Sequence, residues 1–158
     1  GYLQGRMVLV KGYDDQGLVF YTNLESRKAR ALESTPRAAL TLYWEPVRRQ
    51  VRVEGDVERG PDAEADAYFA GRPRGSQIGA WASAQSEVAT DREELERRYR
   101  EAEARFAEAD AVPRPSFWSG FRVRHRSVEF WQEGADRMHD RFRYERTEDG
   151  WEIIRLFP

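Results

Sequence analysis

The chain has 158 residues, 40% of them hydrophobic, 34% charged and 13% aromatic, with a formal net charge of −2. That length supports a core of its own, the aromatics exclude disorder, and the charge balance gives no reason to expect nucleic acid or a membrane surface as partner. Cysteine is absent and only His125 and His139 represent histidine, which excludes thiolate chemistry and leaves no expected metal site. No apolar run approaches the roughly 18 residues of a membrane span, so a cytoplasmic protein is expected. The chain opens at Gly1, almost directly in a strand-like run, and is expected to be a fragment lacking upstream sequence.

In chain order, residues 6–12 hold four consecutive apolar positions, which predicts a strand buried on both faces. A turn at Asp14-Asp15-Gln16-Gly17 returns the chain as a second strand over Leu18 to Thr22. Ser26 caps a short helix over Arg27 to Glu33, which Pro36 stops. Ala38 to Trp44 reads as a strand, Glu45-Pro46 breaks it, and Val47 to Val57 continues as a long alternating strand. Pro61 and Gly71 bracket a helix, and Ser76 opens another over Gln77 to Ser83. Thr90-Asp91-Arg92-Glu93 reads as a capping box for a surface helix with Glu/Arg pairs at i,i+4. Four further strands are predicted at Gly120 to Arg124, Val128 to Gln132, Arg141 to Arg146 and Trp151 to Leu156. The sum is about eight strands, mainly β with peripheral helices, in a single domain over 1–158.

Of the 26 basic residues, 24 are Arg and two, Lys11 and Lys28, are Lys. Where arginine is so dominant, a retained lysine points to a need for a compact charge. Lys28 follows Tyr21-Thr22 and stands with Ser26-Arg27 at a helix start, where free N–H groups and two cations suit a phosphate. Tyr68, Arg72 and Ser76, four apart, offer a phenol, a guanidinium and a hydroxyl for a second phosphate. Arg6 with Lys11 and the pair Gln85-Ser86 complete the polar clusters. Near the end, Arg137, His139 and Arg141 alternate beside Trp131, which in an extended chain would form one wall for a planar, anionic aromatic ligand. No phosphate-binding glycine loop and no nucleophile elbow occur, so an organic cofactor is the expected source of reactivity.

These residues stand in motifs that resemble the FMN-dependent pyridoxine (pyridoxamine) 5′-phosphate oxidases, which act as pyridoxal 5′-phosphate synthases. The motifs are Arg6-Met-Val-Leu-Val-Lys11, Phe20-Tyr-Thr-Asn23, Ser26-Arg-Lys28, Arg49-Gln-Val-Arg-Val-Glu-Gly55, Arg72-Pro-Arg74, Ser76-Gln-Ile-Gly-Ala-Trp81, Gln85-Ser86, Glu129-Phe-Trp-Gln132 and Arg137-Met-His-Asp-Arg141. The resemblance covers nearly the whole chain and implies an FMN-binding split β-barrel. It implies FMN contacts from Arg6, Met7, Val8, Leu9, Val10, Lys11, Tyr21, Thr22, Arg27, Lys28, Gln50, Gln85, Ser86, Trp131 and Arg141. The substrate phosphate is expected at Lys11, Tyr68, Arg72 and Ser76, with Arg137, Met138 and His139 at the pyridine ring. Arg137 is expected to orient the ring and favour charge on the substrate oxygen, and His139 to hydrogen-bond or relay a proton.

The implied reaction passes a hydride equivalent from C4′ to the flavin and on to O2, giving H2O2, and ammonia from the amine substrate. A homodimer with FMN at the interface is implied. The resemblance implies a leading segment and an additional first strand in members of the family, and these are expected to be absent or removed here. Two other readings stand beside this one: a related flavin oxidase of the phenazine type, and a flavin- or pyridoxal-phosphate-binding protein without turnover.

Overall fold

The computed structural model describes residues 3–158. Its elements run β1 (Val10–Asp14), β2 (Gly17–Asn23), α1 (Arg27–Ser34), β3 (Arg37–Trp44), β4 (Arg49–Arg59), α2 (Asp62–Ala70), α3 (Arg74–Ala82), α4 (Arg92–Arg105), β5 (Trp118–Gln132), β6 (Asp140–Thr147) and β7 (Gly150–Arg155). The strands form one sheet in the order β1-β2-β5-β4-β3, with β6 paired to β5 and β7 to β6. The class is mainly β with inserted helices, as the sequence predicts.

Several element predictions need correction. The segment 6–9 lies outside any strand, and β1 begins only at Val10. Burial on both faces fails as well, because Met7 is 95% and Leu9 70% exposed while Val8 and Val10 are half-buried. The apolar run therefore alternates, and one of its faces stays uncovered within the chain. The two strands predicted between Gly120 and Gln132 are one 15-residue strand. Its polar centre keeps the period of two, with Arg124 and Arg126 exposed between the buried Val123 and the half-buried His125, so polarity marks a solvent face and not a break. After Trp44 the chain makes a 3-10 turn at Glu45–Val47 with Arg48 left-handed (φ 51°), so the fourth strand starts at Arg49 instead of Val47. The helix start at Thr90 shifts by one residue. Asp91 is the N-cap, accepting from Glu94 N at 2.8 Å, and the Glu94 carboxylate reaches back to Thr90 N at 2.9 Å. Hydrogen bonds from the Thr90 backbone first, then from the Thr90 hydroxyl and Arg98, hold the Glu94 carboxyl down at about 2. The i,i+4 spacing predicts the pairs Glu93/Arg97, Glu94/Arg98, Glu96/Arg100 and Glu101/Arg105; the ion pairs of α4 are Arg92–Glu96, Arg98–Glu94 and Arg97–Glu101, so of the four the Glu94 pair forms.

The chain divides into two compact units. The first comprises the described residues up to Gly12, Val19–Thr35 and Arg59–Arg122. Its core joins Phe69, Ile78, Ala102, Phe106, Val112 and Trp118, with Tyr21, Tyr68, Trp81 and Tyr99 packed around it. Buried Gln77 ties α3 to the end of α2 by donating to the Phe69 carbonyl at 2.9 Å and the Ala70 carbonyl at 3.2 Å. Those carbonyls lie in the last turn of α2, where no i+4 partner exists within the helix, and Phe69 O also accepts from Arg72 N at 3.1 Å. Trp81 Nε1 donates to Pro113 O at 2.8 Å and Arg74 Nη2 to Phe106 O at 2.5 Å, which fixes α3 from its other side.

The second unit comprises Tyr13–Leu18, Pro36–Glu58 and Val123–Pro158. It contains the antiparallel β3/β4 ladder from Arg37↔Asp56 to Trp44↔Arg49 and the β5/β6/β7 meander, in which Trp131 faces Arg141 and Glu129 faces Arg143. Gly17 (φ +145°) and Gly55 lie so close to the β5 backbone that a Cβ on either would collide, at Val123 O and at Arg124 O respectively. Asp14 Oδ1 accepts from Gln16 N and Gly17 N at 2.9 and 3.1 Å, which closes the first hairpin as an Asx turn.

Candidate functional site

A cavity of about 760 Å³ opens in the first unit, within the size range of small-molecule sites. Among the described residues, Arg6, Lys11, Lys28 and Arg72 line it and no carboxylate does, although the chain as a whole carries a net charge of −2. Its wall also includes Met7, Val8, Leu9, Tyr21, Thr22, Tyr68, Ser76, Gln85 and Ser86. Each of these was singled out from the sequence.

The Lys28 end is built at the junction of β2 and α1. Ser26, fully buried, caps α1 by accepting from Ala29 N at 3.3 Å. Lys28 Nζ donates to Thr22 Oγ1, to Gln85 Oε1 at 2.9 Å and to Ser26 Oγ at 3.4 Å. Thr22 in turn donates to Gln85 Oε1 at 2.9 Å. All these partners are neutral, so the ammonium charge has no counter-charge among them. Burial, and then the nearby Arg6, push the Lys28 pKa below the ordinary lysine value. Asn23 Nδ2 donates to Ser83 O at 3.3 Å, which ties the loop bearing Gln85 and Ser86 to β2, and Ser86 itself is left-handed (φ 78°). Arg27 lies in a smaller adjoining groove with Arg6, Lys28 and Ser86. An anion with several oxygens fits this corner.

The Arg72 end is built from stacked rings. Tyr21 lies parallel to Tyr68 at 4.2 Å and to Trp118 at 5.3 Å, and the Arg72 guanidinium sits 4.9 Å over Trp118. Arg72 Nη1 is buried with no hydrogen-bond partner among the described residues. Such an orphaned donor fits an acceptor on a bound molecule, and Tyr68 and Ser76 on the same wall offer hydroxyls beside it. Burial lowers the Arg72 pKa and raises that of Tyr21, the latter helped by Glu64 and Tyr68.

Trp118 was missed from the sequence. The available signal is the aromatic pair Phe117-Trp118, which stands just before the strand predicted from Gly120 and where β5 begins. Asn23, Gly79, Ala80 and Ser83 also line the cavity without having been singled out. Val10 was expected at the cofactor but is not part of the cavity wall.

Gln50, Trp131, Arg137, Met138, His139 and Arg141 belong to the second unit. Gln50 is opposite Tyr43 on β4, and Trp131 opposite Arg141 on the β5/β6 ladder. The expected extended wall of Arg137, His139 and Arg141 does not form. Residues 135–137 make a 3-10 turn in which Asp136 and Arg137 have positive φ (52° and 63°). The tight return needs Gly134, whose Cβ would collide with Met138 O. Left-handed arginine costs about 1–3 kcal/mol, a strain often found at functional positions. Arg137 and Met138 are exposed; His139 is half-buried, with its ring 4.7 Å from Trp131. Gly134 N–H donates to His139 Nδ1 at 3.2 Å, so a neutral ring carries its proton on Nε2. Arg141 points into a pairing of its own, donating from Nε and Nη2 to Glu129 at 2.9 and 3.1 Å and from Nη1 to Phe157 O at 3.0 Å.

Residues 1–106 match the family described as pyridoxamine 5′-phosphate oxidase, and residues 118–158 match the pyridoxine 5′-phosphate oxidase C-terminal dimerisation region. The pyridoxine/pyridoxamine 5′-phosphate oxidase of Rubrobacter xylanophilus is 56% identical over 158 residues, covering 100% of this chain and 72% of the relative. The enzyme of the same name from Myxococcus xanthus DK1622 is 54% identical, covering 100% and 76%. Among solved structures, PhzG from Burkholderia lata 383, in complex with tetrahydrophenazine-1-carboxylic acid, aligns with TM-score 0.92 at 34% identity, covering 100% of this chain and 77% of that one. A pyridoxamine 5′-phosphate oxidase-related, FMN-binding protein from Nostoc punctiforme aligns with TM-score 0.73 at 16% identity, covering 97% and 79%, a likeness of fold. The fold is the split β-barrel with peripheral helices that the sequence resemblance implies.

Proposed function

Because the chain belongs to the pyridoxamine 5′-phosphate oxidase family, we propose that it oxidises pyridoxine 5′-phosphate and pyridoxamine 5′-phosphate to pyridoxal 5′-phosphate in the cytoplasm, with O2 as electron acceptor. It is an oxidoreductase and its cofactor is FMN. The observation that carries the substrate reading is the cavity lined by four cations and no carboxylate, with a neutral-partnered lysine and an arginine bearing an unpartnered buried nitrogen. Two phosphorylated ligands, cofactor and substrate, account for two such anion-binding corners.

In this reading Lys28, Arg27, Ser86 and the start of α1 hold the FMN phosphate, with Arg6 and Lys11 nearby. Met7, Val8, Leu9, Tyr21, Thr22 and Gln85 line the rest of the cofactor site, and Gln50, Trp131 and Arg141 complete it. Arg72, Tyr68, Ser76 and Lys11 take the substrate phosphate. The chemistry supplied by FMN when bound is acceptance of a hydride equivalent from C4′ and delivery of its electrons to O2, giving H2O2. Arg137 orients the pyridine ring and stabilises negative charge on the substrate oxygen. His139 presents an Nε2–H donor in its neutral form, so it contributes a hydrogen bond first and a proton relay second. Met138 adds apolar contact at the ring. When the amine is the substrate, the imine it leaves hydrolyses to the aldehyde and ammonia.

Residues 118–158 are the family's dimerisation region, and the protein is a homodimer. We place FMN at the interface, with each site drawing residues from both copies. Exposed apolar side chains in the second unit, among them Trp44, Phe130 and Ile153, are available for burial between copies. A second reading, an oxidase of phenazine-type substrates, draws on the likeness to PhzG. Tyr68, Arg72 and Ser76 favour a substrate with a phosphate.

The test is to strip the protein, reconstitute it with FMN, and add pyridoxine 5′-phosphate in air while H2O2 and pyridoxal 5′-phosphate are followed. Equimolar production of both is expected. A protein that takes up no FMN would end the proposal. Flavin that binds but is neither bleached anaerobically nor coupled to peroxide would favour the binding protein without turnover. Preference for an unphosphorylated tricyclic acid would favour the phenazine reading.

A further inference from the structure

Glu129 is a carboxylate with 7% of its side chain exposed, and the reaction gives it no part. We infer that Glu129 is a positioning residue that fixes the Arg141 guanidinium so that its free N–H groups present one aimed edge to the flavin. This rests on the placement of Arg141 at FMN made above.

The β5/β6 register sets the geometry. Trp131 is opposite Arg141, and Glu129 lies two residues from Trp131, so all three side chains share one face of the ladder. Both Glu129 oxygens are engaged by Arg141, Oε1 by Nε at 2.9 Å and Oε2 by Nη2 at 3.1 Å. A two-point contact fixes the plane of a guanidinium as well as its position. A third point comes from Nη1, which donates to Phe157 O at 3.0 Å. Arginine has five N–H donors, so two remain after these three. Arg143, though directly opposite Glu129, pairs instead with Glu145 at 2.8 Å. The remaining cation near the carboxylate is Arg52, whose Nη1 is 3.7 Å from Oε2 and whose side chain is 43% exposed.

A buried carboxylate between two arginines could serve only to neutralise them. The two-point geometry on Arg141, against a single longer contact from Arg52, favours orientation. Without Glu129, Arg141 keeps its charge and loses its fixed plane, which weakens FMN by lost preorganisation and not by lost charge.

The experiment measures FMN affinity by quenching of flavin fluorescence on the stripped full chain, for Glu129→Gln, Arg141→Gln, the double variant and Arg52→Gln. Arg141→Gln is expected to weaken FMN by roughly 10- to 100-fold, in line with loss of charged hydrogen bonds. Glu129→Gln, nearly isosteric, is expected to weaken it about tenfold, and to add nothing further in the Arg141→Gln background. Glu129→Asp, which keeps the charge on a shorter arm, should recover part of the loss. Arg52→Gln should stay within about twofold of the parent. A Glu129→Gln effect of equal size with and without Arg141 would overturn the inference, because a purely structural role persists in both backgrounds. So would an Arg52→Gln effect as large as that of Glu129→Gln. If Arg141→Gln alone leaves FMN affinity unchanged, the placement of Arg141 at the flavin is what fails.

Discussion

Replacing Lys28 by Met keeps the aliphatic stem and removes the ammonium. Among the described residues, Nζ donates hydrogen bonds to neutral oxygens only, those of Thr22, Gln85 and Ser26. Its charge is thus available to an anion, and a charged hydrogen bond of this kind contributes about 1.5–3 kcal/mol. At about 1.4 kcal/mol per decade, FMN should bind roughly 10- to 150-fold more weakly to Lys28→Met. Titration of the stripped protein with FMN, alongside riboflavin, measures it. Riboflavin lacks the phosphate and should bind both proteins equally. Equal weakening of both ligands, or of neither, would remove Lys28 from the phosphate corner.

The pH dependence follows with its sign. Burial, then Arg6, depress the Lys28 pKa in the empty site, and a phosphate dianion favours the ammonium. FMN affinity should therefore fall as pH rises through the depressed value, approaching one proton per flavin, and this slope should vanish in Lys28→Met. For folding of the stripped protein the sign is opposite. Between the depressed native value and the ordinary lysine value the unfolded chain holds a proton that the native chain has shed. In that window this group makes stability rise with pH.

Arg72→Lys should raise KM for the phosphorylated substrate by about 10- to 100-fold with little change in FMN binding, because a point charge replaces a forked donor stacked on Trp118; an unchanged KM would refute the placement. Arg137→Ala should lower kcat/KM far more than FMN retention, and equal loss of both would contradict a substrate-side role. Gly134→Ala sets a Cβ against Met138 O and should destabilise the His139 turn by about 1–3 kcal/mol, read as lost activity with FMN still bound. Phe69→Ala, at a side chain 1% exposed, should cost about 3–5 kcal/mol in denaturant unfolding.

Much of the cavity was legible because its chemistry is local. Ser26, Arg27 and Lys28 stand at a helix start, and Tyr68, Arg72 and Ser76 recur at one spacing across a helix end. The second unit was less legible, for physical reasons that differ by site. Arg137 and His139 alternate in sequence, but positive φ at Asp136 and Arg137 turns the chain before the alternation can form a wall. Glu129 looked like one charge among many, and its two-point contact with Arg141 exists only once β5 and β6 are in register. Trp118 is both core and cavity wall, two roles that a sequence presents identically. The exposed Met7 and Leu9 show how an apolar run suggests burial without saying which surface provides it.

Gly17 and Gly55 are 38 positions apart along the sequence, yet they meet adjacent residues of β5, at Val123 and Arg124. A slip of one residue would bring Gln16 or Leu18 to the first place, and Glu54 or Asp56 to the second. Each would put a side chain where a carbonyl oxygen stands. Neighbouring registers in this sheet therefore meet steric rejection at two points, in addition to losing their hydrophobic face. During folding, the two residues with least to contribute to a core act as a check on strand alignment.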